Sequence, residues 1–244
     1  RGNACDLDQW EELGAQGWGY RNCLPYYKKA ENCAYGEDEY RGGDGPLHTC
    51  NGNGMKNPLY RAFIKAGGEA GYGITDDYNG YRQEGMCRMD MTVKNGVRCS
   101  TANAFLKPVL HRSNLTLLMH ALTKKVVLEG KKAVGIEFER DGKTHIVKAN
   151  REVILSAGSI GSPHIMQMSG IGPSQVLKDA GIEVVHELPG VGANLHDHLE
   201  SVIQYETKLP VSLNRHMGPI GKFLIGARWY FFKSGLGATN HFES

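Results

Sequence analysis

A short run of small residues, Ser156-Ala157-Gly158, stands where an apolar segment gives way to a helical pattern. The apolar residues 153–155 precede the run, and apolar residues at helical spacing follow it over 160–168. A turn of this kind at the start of a helix lets backbone N–H groups approach a phosphate or ribose closely. On its chemistry alone, the turn is a candidate nucleotide site. A well-packed strand–helix turn without a ligand is the alternative.

Two further places in the sequence could hold a charged ligand. Glu206 ends an alternating segment with Ile203 and Tyr205, which predicts an antiparallel strand with Glu206 on the opposite face. A surface carboxylate is the simplest interpretation of that placement. His196 and His198 would point the same way on a strand and could ligate a metal ion. Because no third group of ligands lies nearby in the sequence, we predict no metal site.

The bulk properties describe a globular chain. Its 244 residues can bury a substantial core, and 41% of them are hydrophobic and 22% charged. The formal net charge of +2 is too balanced to indicate nucleic-acid binding. No apolar run reaches the roughly 18 residues that a membrane-spanning helix needs. The six cysteines contain no C-x-x-C pair, and we predict that they are reduced thiols.

The elements that would position these residues can be predicted from periodicity and turn signals. Helical patterns cover 6–36, 57–72, 101–110, 158–168, 174–181 and 219–233. Pro25 is predicted to interrupt the first of these segments, and Asn57-Pro58 to start the second. Strand patterns cover 87–93, 115–122, 124–130, 133–142, 143–150, 152–156 and the segment around 203–206. Gly130-Lys131 and Asp141-Gly142 are predicted to form hairpin turns.

Longer runs of sequence resemble one known family. Residues 158–172, GSIGSPHIMQMSGIG, resemble the second signature of the glucose-methanol-choline (GMC) family of flavin oxidoreductases. Residues 188–200 resemble the family's Pro-Gly-Val-Gly-x-Asn-Leu-x-Asp-His run. The N-terminal part resembles the region after the family's first signature, at residues 1–10, 23–31 and 42–47. Residues 203–213 and 235–243 are similar to choline-oxidising members, so the resemblance covers essentially the whole chain.

The resemblance implies a mixed α/β (α+β) fold of the FAD-binding GMC type, present in part, with part of an antiparallel-sheet substrate domain. The flavin-binding domain would take residues 1–50 and 96–203, and the substrate-binding domain residues 51–95 and 204–244. The implied activity is FAD-dependent oxidation of an alcohol, choline to betaine aldehyde, by hydride transfer to the flavin. Another family member that acts on a neutral alcohol, and an inactive flavoprotein-like binding fragment, are the alternatives.

The resemblance also implies roles for individual residues. Backbone groups of Ser156, Ala157 and Gly158 would surround the ADP half of FAD, and the backbone of Thr123 would hold the adenine. Asn3 and Ala4 would approach the flavin ring. On the substrate side, Glu206 would face the trimethylammonium group of choline, and His241 would line the site together with Glu243. A carboxylate with aromatic faces suits a quaternary ammonium, which has no N–H donor.

Two parts of a complete family member are not recognisable in the sequence. A G-x-G-x-x-G turn between a strand and a helix is absent, and so is the segment with the family's catalytic histidine. We therefore expect an internal fragment that contains no catalytic residue and is inactive in isolation. The sequence does not indicate the electron acceptor. We expect the parent protein to be cytoplasmic or peripherally membrane-associated.

Overall fold

The computed structural model describes residues 2–51, 57–197, 199 and 201–238. Helices and small β-sheets alternate along the chain, so the predicted mixed α/β fold is confirmed. The chain divides into two units, Arg1–Leu115 with Gln204–Ser244 and Thr116–Ile203. The division into flavin-binding residues 1–50 and 96–203 and substrate-binding residues 51–95 and 204–244 stays a prediction.

The regular elements follow one another in short runs. The helices are α1 (Ala4–Glu12), α2 (Tyr20–Ala30), α3 (Pro58–Glu69), α4 (Gly158–Met168), α5 (Ser174–Asp179) and α6 (Pro219–Phe232). The strands are β1 (Glu31–Cys33), β2 (Leu47–Asn51), β3 (Asp90–Met91), β4 (Val93–Lys94), β5 (Val97–Arg98), β6 (Leu122–Glu129), β7 (Lys132–Arg140), β8 (Lys143–Lys148), β9 (Ile171–Gly172) and β10 (His186–Glu187). Shorter helical turns cover Ala102–Leu106, Lys107–Val109, Leu213–His216 and Leu236–Ala238. None of the helices in the described part of the chain has the length and apolar character that a bilayer crossing needs.

Helix starts in the first unit follow the capping chemistry of the sequence. The Asn57 side-chain oxygen accepts a hydrogen bond from the N–H of Leu59 at 3.0 Å, and Pro58 is the first residue of α3, as predicted. The predicted interruption at Pro25 is wrong, because α2 runs through that residue. A proline removes one backbone donor but keeps a helical φ, so the neighbouring turns can carry the helix across it.

The strands of the first unit form two small sheets. β2 pairs in parallel with β1, where Cys33 lies opposite Thr49, and antiparallel with β3, where Asn51 lies opposite Asp90. β4 and β5 form a separate hairpin. The three-stranded sheet therefore brings side chains from three distant segments of sequence to one place.

The second unit is built on the antiparallel sheet β6–β7–β8. Two-residue turns join its strands at Gly130-Lys131 and Asp141-Gly142, as predicted. Asp141 and Gly142 have φ of 52° and 72°, the left-handed pair that a tight hairpin with right-twisted strands requires. Helix α4 packs on β6, and β9 pairs in parallel with β10.

Three predicted strands are wrong. Residues 115–121, 152–156 and 203–206 are not in strands, and β6 begins only at Leu122. Apolar or alternating side chains indicate which residues suit a sheet, but a strand also needs a hydrogen-bonded neighbour. None of these three segments is hydrogen-bonded into a sheet of the described residues. The predicted helix over 101–110 is divided into the turns Ala102–Leu106 and Lys107–Val109.

Candidate functional site

The predicted nucleotide turn lies at the start of α4. Ser156, Ala157 and Gly158 are all exposed, and the N–H of Ala157 donates a hydrogen bond to Ser162 Oγ at 2.9 Å. No side chain caps the first turn of α4 among the described residues, so the N–H groups of that turn remain open to a ligand. Gly158 has φ of +84°, and no atom lies within 4 Å of the position that a Cβ would take. This uncapped, open helix start fits the phosphate of a nucleotide cofactor.

Thr123 lies in the same unit as this turn. It is a half-buried residue of β6 and pairs with Phe138 of β7, next to an irregularity in the strand register. The residue that this irregularity leaves outside the regular pairing is the neighbouring Lys124, whereas Thr123 itself is paired. The predicted role of Thr123, which is to present backbone groups to an adenine, stays a prediction.

Ser169 connects α4 to the strand that carries Thr123. Its hydroxyl accepts a hydrogen bond from the N–H of Val126 in β6 at 2.8 Å and donates one to the carbonyl oxygen of Ile165 at 2.6 Å. Ser169 is only 7% exposed, so this connection is shielded from water. The serine therefore fixes where the end of α4 lies against β6. Sequence reasoning included Ser169 in the GMC-like run but gave it no role.

Gln167 makes a second connection that sequence reasoning missed. Its side-chain amide nitrogen lies 3.1 Å from the carbonyl oxygen of Val191. Gly192 follows in the left-handed region with φ of +80°, and a Cβ there would lie 2.8 Å from Gln167 Nε2. The two GMC-like runs, 158–172 and 188–200, therefore meet at this amide. Gly192 is the one sequence signal for this contact, because a glycine allows another group to approach the backbone closely.

Asn3 and Ala4 lie in the first unit, at the start of α1. The Asn3 side-chain oxygen accepts a hydrogen bond from the N–H of Cys5 at 2.9 Å, which makes Asn3 the cap of α1. Asn3 is exposed, and Ala4 is half-buried. The described contacts therefore give Asn3 a capping role, and its approach to a flavin ring stays a prediction.

The predicted substrate residues have little structural context. Glu206 is exposed, in a segment that forms no strand. His241 and Glu243 lie outside the described residues. Their roles toward a substrate stay predictions.

A buried charge cluster in the first unit was not predicted. Arg41 is 2% exposed, and its Nη2 lies 2.7 Å from Asp90 Oδ2 and 3.2 Å from Glu31 Oε1. Its Nη1 lies 3.3 Å from Asp77 Oδ1. Burial lowers the pKa of Arg41, but the hydrogen bond and charge of Asp90 outweigh it, so the pKa is raised above its ordinary value. The guanidinium is therefore a permanent charge that joins three carboxylates.

The start of α3 and the segment before α6 meet in the first unit. The Asn57 side chain that caps α3 also donates a hydrogen bond to the carbonyl oxygen of Val211 at 3.4 Å. Farther along, Trp229 Nε1 of α6 donates to the carbonyl oxygen of Gly96 at 2.8 Å. Asn57, Val211 and Gly96 are among the residues that line a cavity of about 930 Å³. Glu206 is not among the described residues that line it.

Comparison with known proteins gives matches along the whole chain. It is 59% identical to an oxygen-dependent choline dehydrogenase of Photobacterium profundum, over 100% of this chain and 43% of the relative. The corresponding enzyme of Vibrio vulnificus is 58% identical, over 100% of this chain and 44% of the relative. The chain thus spans less than half the length of these curated relatives.

Solved structures share the fold. An FAD-dependent oxidoreductase from Chaetomium thermophilum superimposes with a TM-score of 0.82 at 26% identity, over 98% of this chain and 44% of that one. A pyridoxine 4-oxidase from Mesorbium loti gives 0.72 at 31% identity, over 78% of this chain and 37% of that one. The sequence profile of the GMC oxidoreductase family matches residues 1–200. The predicted resemblance is thereby confirmed, and the chain belongs to the GMC oxidoreductase family.

Proposed function

We propose that the whole protein is an FAD-dependent oxidoreductase that converts choline to betaine aldehyde. The observation that carries this proposal is the 59% and 58% identity, over the entire chain, to two proteins named oxygen-dependent choline dehydrogenase. Membership of the GMC family supports the same class of reaction. The proposal concerns the whole protein, because this chain spans 43–44% of those relatives.

The open start of α4 supports FAD as the cofactor. Bound FAD would supply the hydride acceptor for the oxidation of the alcohol, a chemistry that side chains alone do not provide. Backbone groups of Ser156, Ala157 and Gly158 would hold the ADP half, and that of Thr123 the adenine. Ser169 would keep the two groups at a fixed separation. Asn3 and Ala4 would approach the flavin ring.

One hydrogen bond supports the proposed division into a flavin-binding and a substrate-binding domain. The hydrogen bond from Asn57 to Val211 joins the predicted substrate-side segments 51–95 and 204–244, which are 154 residues apart at this point. The cavity of the first unit is lined mainly by residues of the same two segments. We therefore keep these two segments together as the proposed substrate-binding domain.

Glu206 is our candidate for the recognition of the choline cation, together with His241. The test replaces Glu206 by glutamine in the full-length enzyme, which keeps the shape of the side chain and removes its charge. We expect KM for choline to rise about tenfold, the loss of one charge-assisted contact. The uncharged isostere 3,3-dimethylbutanol should react with unchanged efficiency.

The matched control is Glu183→Gln, another exposed carboxylate, which should leave both substrates unaffected. If Glu206→Gln lowers kcat/KM equally for choline and the isostere, Glu206 does not recognise the cation. Steady-state rates are best followed by oxygen consumption, because oxygen as the acceptor is suggested by the names of the two relatives.

A second candidate function is the oxidation of a neutral alcohol. The 31% identity to a pyridoxine 4-oxidase over 78% of the chain favours it, although the match to the choline enzymes is much closer. A preference of the full-length protein for 3,3-dimethylbutanol over choline would establish this second function instead. Absence of bound flavin would indicate the third alternative, an inactive binding protein. A cytoplasmic or membrane-surface location stays a prediction.

A further inference from the structure

The cavity of about 930 Å³ in the first unit has a chemistry that does not suit choline. It lies between the region of β2–β4, the start of α3 and the helix α6. Much of its wall is apolar, with Met91, Val93, Val211, Leu224 and Ile225 among the lining residues. Such a wall favours an apolar chain or ring over a small polar solute.

The charged groups at this cavity are cations. Arg228 and Lys233 line it, and the described lining residues include no aspartate or glutamate. Arg228 Nε donates to Ser234 Oγ at 3.3 Å, and Lys233 Nζ lies 4.0 Å from the centroid of the Trp229 ring. Neither cation has a carboxylate partner within 4.0 Å in the described part of the chain. Both therefore retain charge that an anion could neutralise.

The surrounding sequence has the same bias. Residues 207–242 contain no aspartate or glutamate, whereas they include the basic residues Lys208, Arg215, Lys222, Arg228 and Lys233. Like charges repel a cationic ligand, and they attract an anionic one before contact is made. Among the described lining residues, a trimethylammonium group would face two cations and no compensating carboxylate.

We propose that this cavity binds an amphipathic carboxylate of the medium-chain fatty-acid class. The chain lies along the apolar wall, and the carboxylate contacts Arg228 and Lys233. A guanidinium and an ammonium are both donors that suit a carboxylate head. Glu206, our candidate for recognition of the choline cation, is not among the described residues that line this cavity, and the inference does not depend on the proposed oxidation of choline.

Calorimetric titration of the full-length protein with decanoate tests the proposal. We expect saturable binding, with 1-decanol binding at least fivefold more weakly because it lacks the charge. The double variant Arg228→Gln, Lys233→Gln should weaken decanoate binding roughly five- to tenfold, as expected for two partly exposed ion pairs. Lys222→Gln is the matched control, because Lys222 belongs to the same helix and does not line the cavity.

A second pair of variants probes the apolar wall. Leu224→Glu places a negative charge in the cavity lining and should abolish decanoate binding. The neighbouring Phe223→Glu, on an exposed side chain outside the lining, should not. Saturating choline should leave the decanoate affinity unchanged.

Three outcomes would overturn the proposal: no binding of decanoate, equal binding by the double variant and the parent, or competition between decanoate and choline. The charge variants alter exposed side chains, so loss of the fold does not obscure their result. Choline turnover is measured separately, which keeps a failure of the proposed function distinguishable from a failure of this one.

Discussion

The side-chain amide of Gln167 donates a hydrogen bond to the backbone oxygen of Val191, with 3.1 Å between nitrogen and oxygen. The two residues belong to separate GMC-like runs, and this bond is a direct link between the helix α4 and the turn that follows β10. Gly192 has no side chain to push the amide away. The geometry of the second run therefore depends on a side chain of the first.

Replacing Gln167 by leucine should destabilise the full-length protein by about 1–2 kcal/mol, because the Val191 oxygen loses its donor. Urea unfolding measures the change. The control is Gln175→Leu, which breaks an exposed hydrogen bond to Asp179 and should cost less than about 0.5 kcal/mol. Equal effects of the two variants would contradict the role assigned to Gln167.

Ser169→Ala should lower flavin loading more than the deletion of an average hydroxyl group does. The change leaves the N–H of Val126, a residue 7% exposed, without its acceptor, at about 1–3 kcal/mol. It also frees the end of α4 from β6. We expect a lower ratio of flavin to protein in the purified enzyme, measured by absorbance. Thr144→Ala, on the exposed strand β8, should retain full loading.

Gly158→Ala tests the open start of α4 as a cofactor site. Alanine at φ of +84° is strained by roughly 1–2 kcal/mol, and its methyl group would occupy open space at the start of α4, which we propose as the phosphate site. The matched control is Gly181→Ala after α5, where φ is +70° and a Cβ would also meet nothing within 4 Å. Both variants should lose similar stability, and only Gly158→Ala should lose FAD affinity. Equal FAD affinities would remove Gly158 from the site.

Arg41→Met should be strongly destabilising, by about 3–5 kcal/mol, because it leaves buried carboxylates without their cation. Thermal unfolding of the full-length protein measures the loss. Arg140→Met removes a half-buried arginine whose Nε lies 3.7 Å from Asp141 Oδ2, and it should change stability by less than about 1 kcal/mol. A mild effect at Arg41 would show that the carboxylates find other partners.

Local chemistry was predictable from sequence where it acts within a few residues. The Asn57-Pro58 start of α3 and the Asp141-Gly142 turn each depend on backbone preferences that neighbouring residues determine. The small residues at 156–158 likewise indicated an open helix start, which the structure contains.

Features that depend on distant partners were not predictable. Residues 115–121 have the apolar content of a strand, but strand formation requires a neighbour that the local sequence does not encode. Arg41 gave no signal, because its carboxylates come from positions 31, 77 and 90. Gln167 and Ser169 were visible within a motif, but their partners lie 24 and 43 residues away.

The arrangement around Arg41 has a consequence for the order of folding. Its three carboxylates belong to β1, the 75–80 loop and β3, so the cluster is complete only when three separate pieces of chain have arrived. If one of these three pieces is missing, the guanidinium either stays in water, and the cluster does not form, or is buried with too few carboxylates. Burial of a charge with too few partners is unfavourable. The strands β1 and β3 and the 75–80 loop are therefore expected to become ordered together, in one cooperative step.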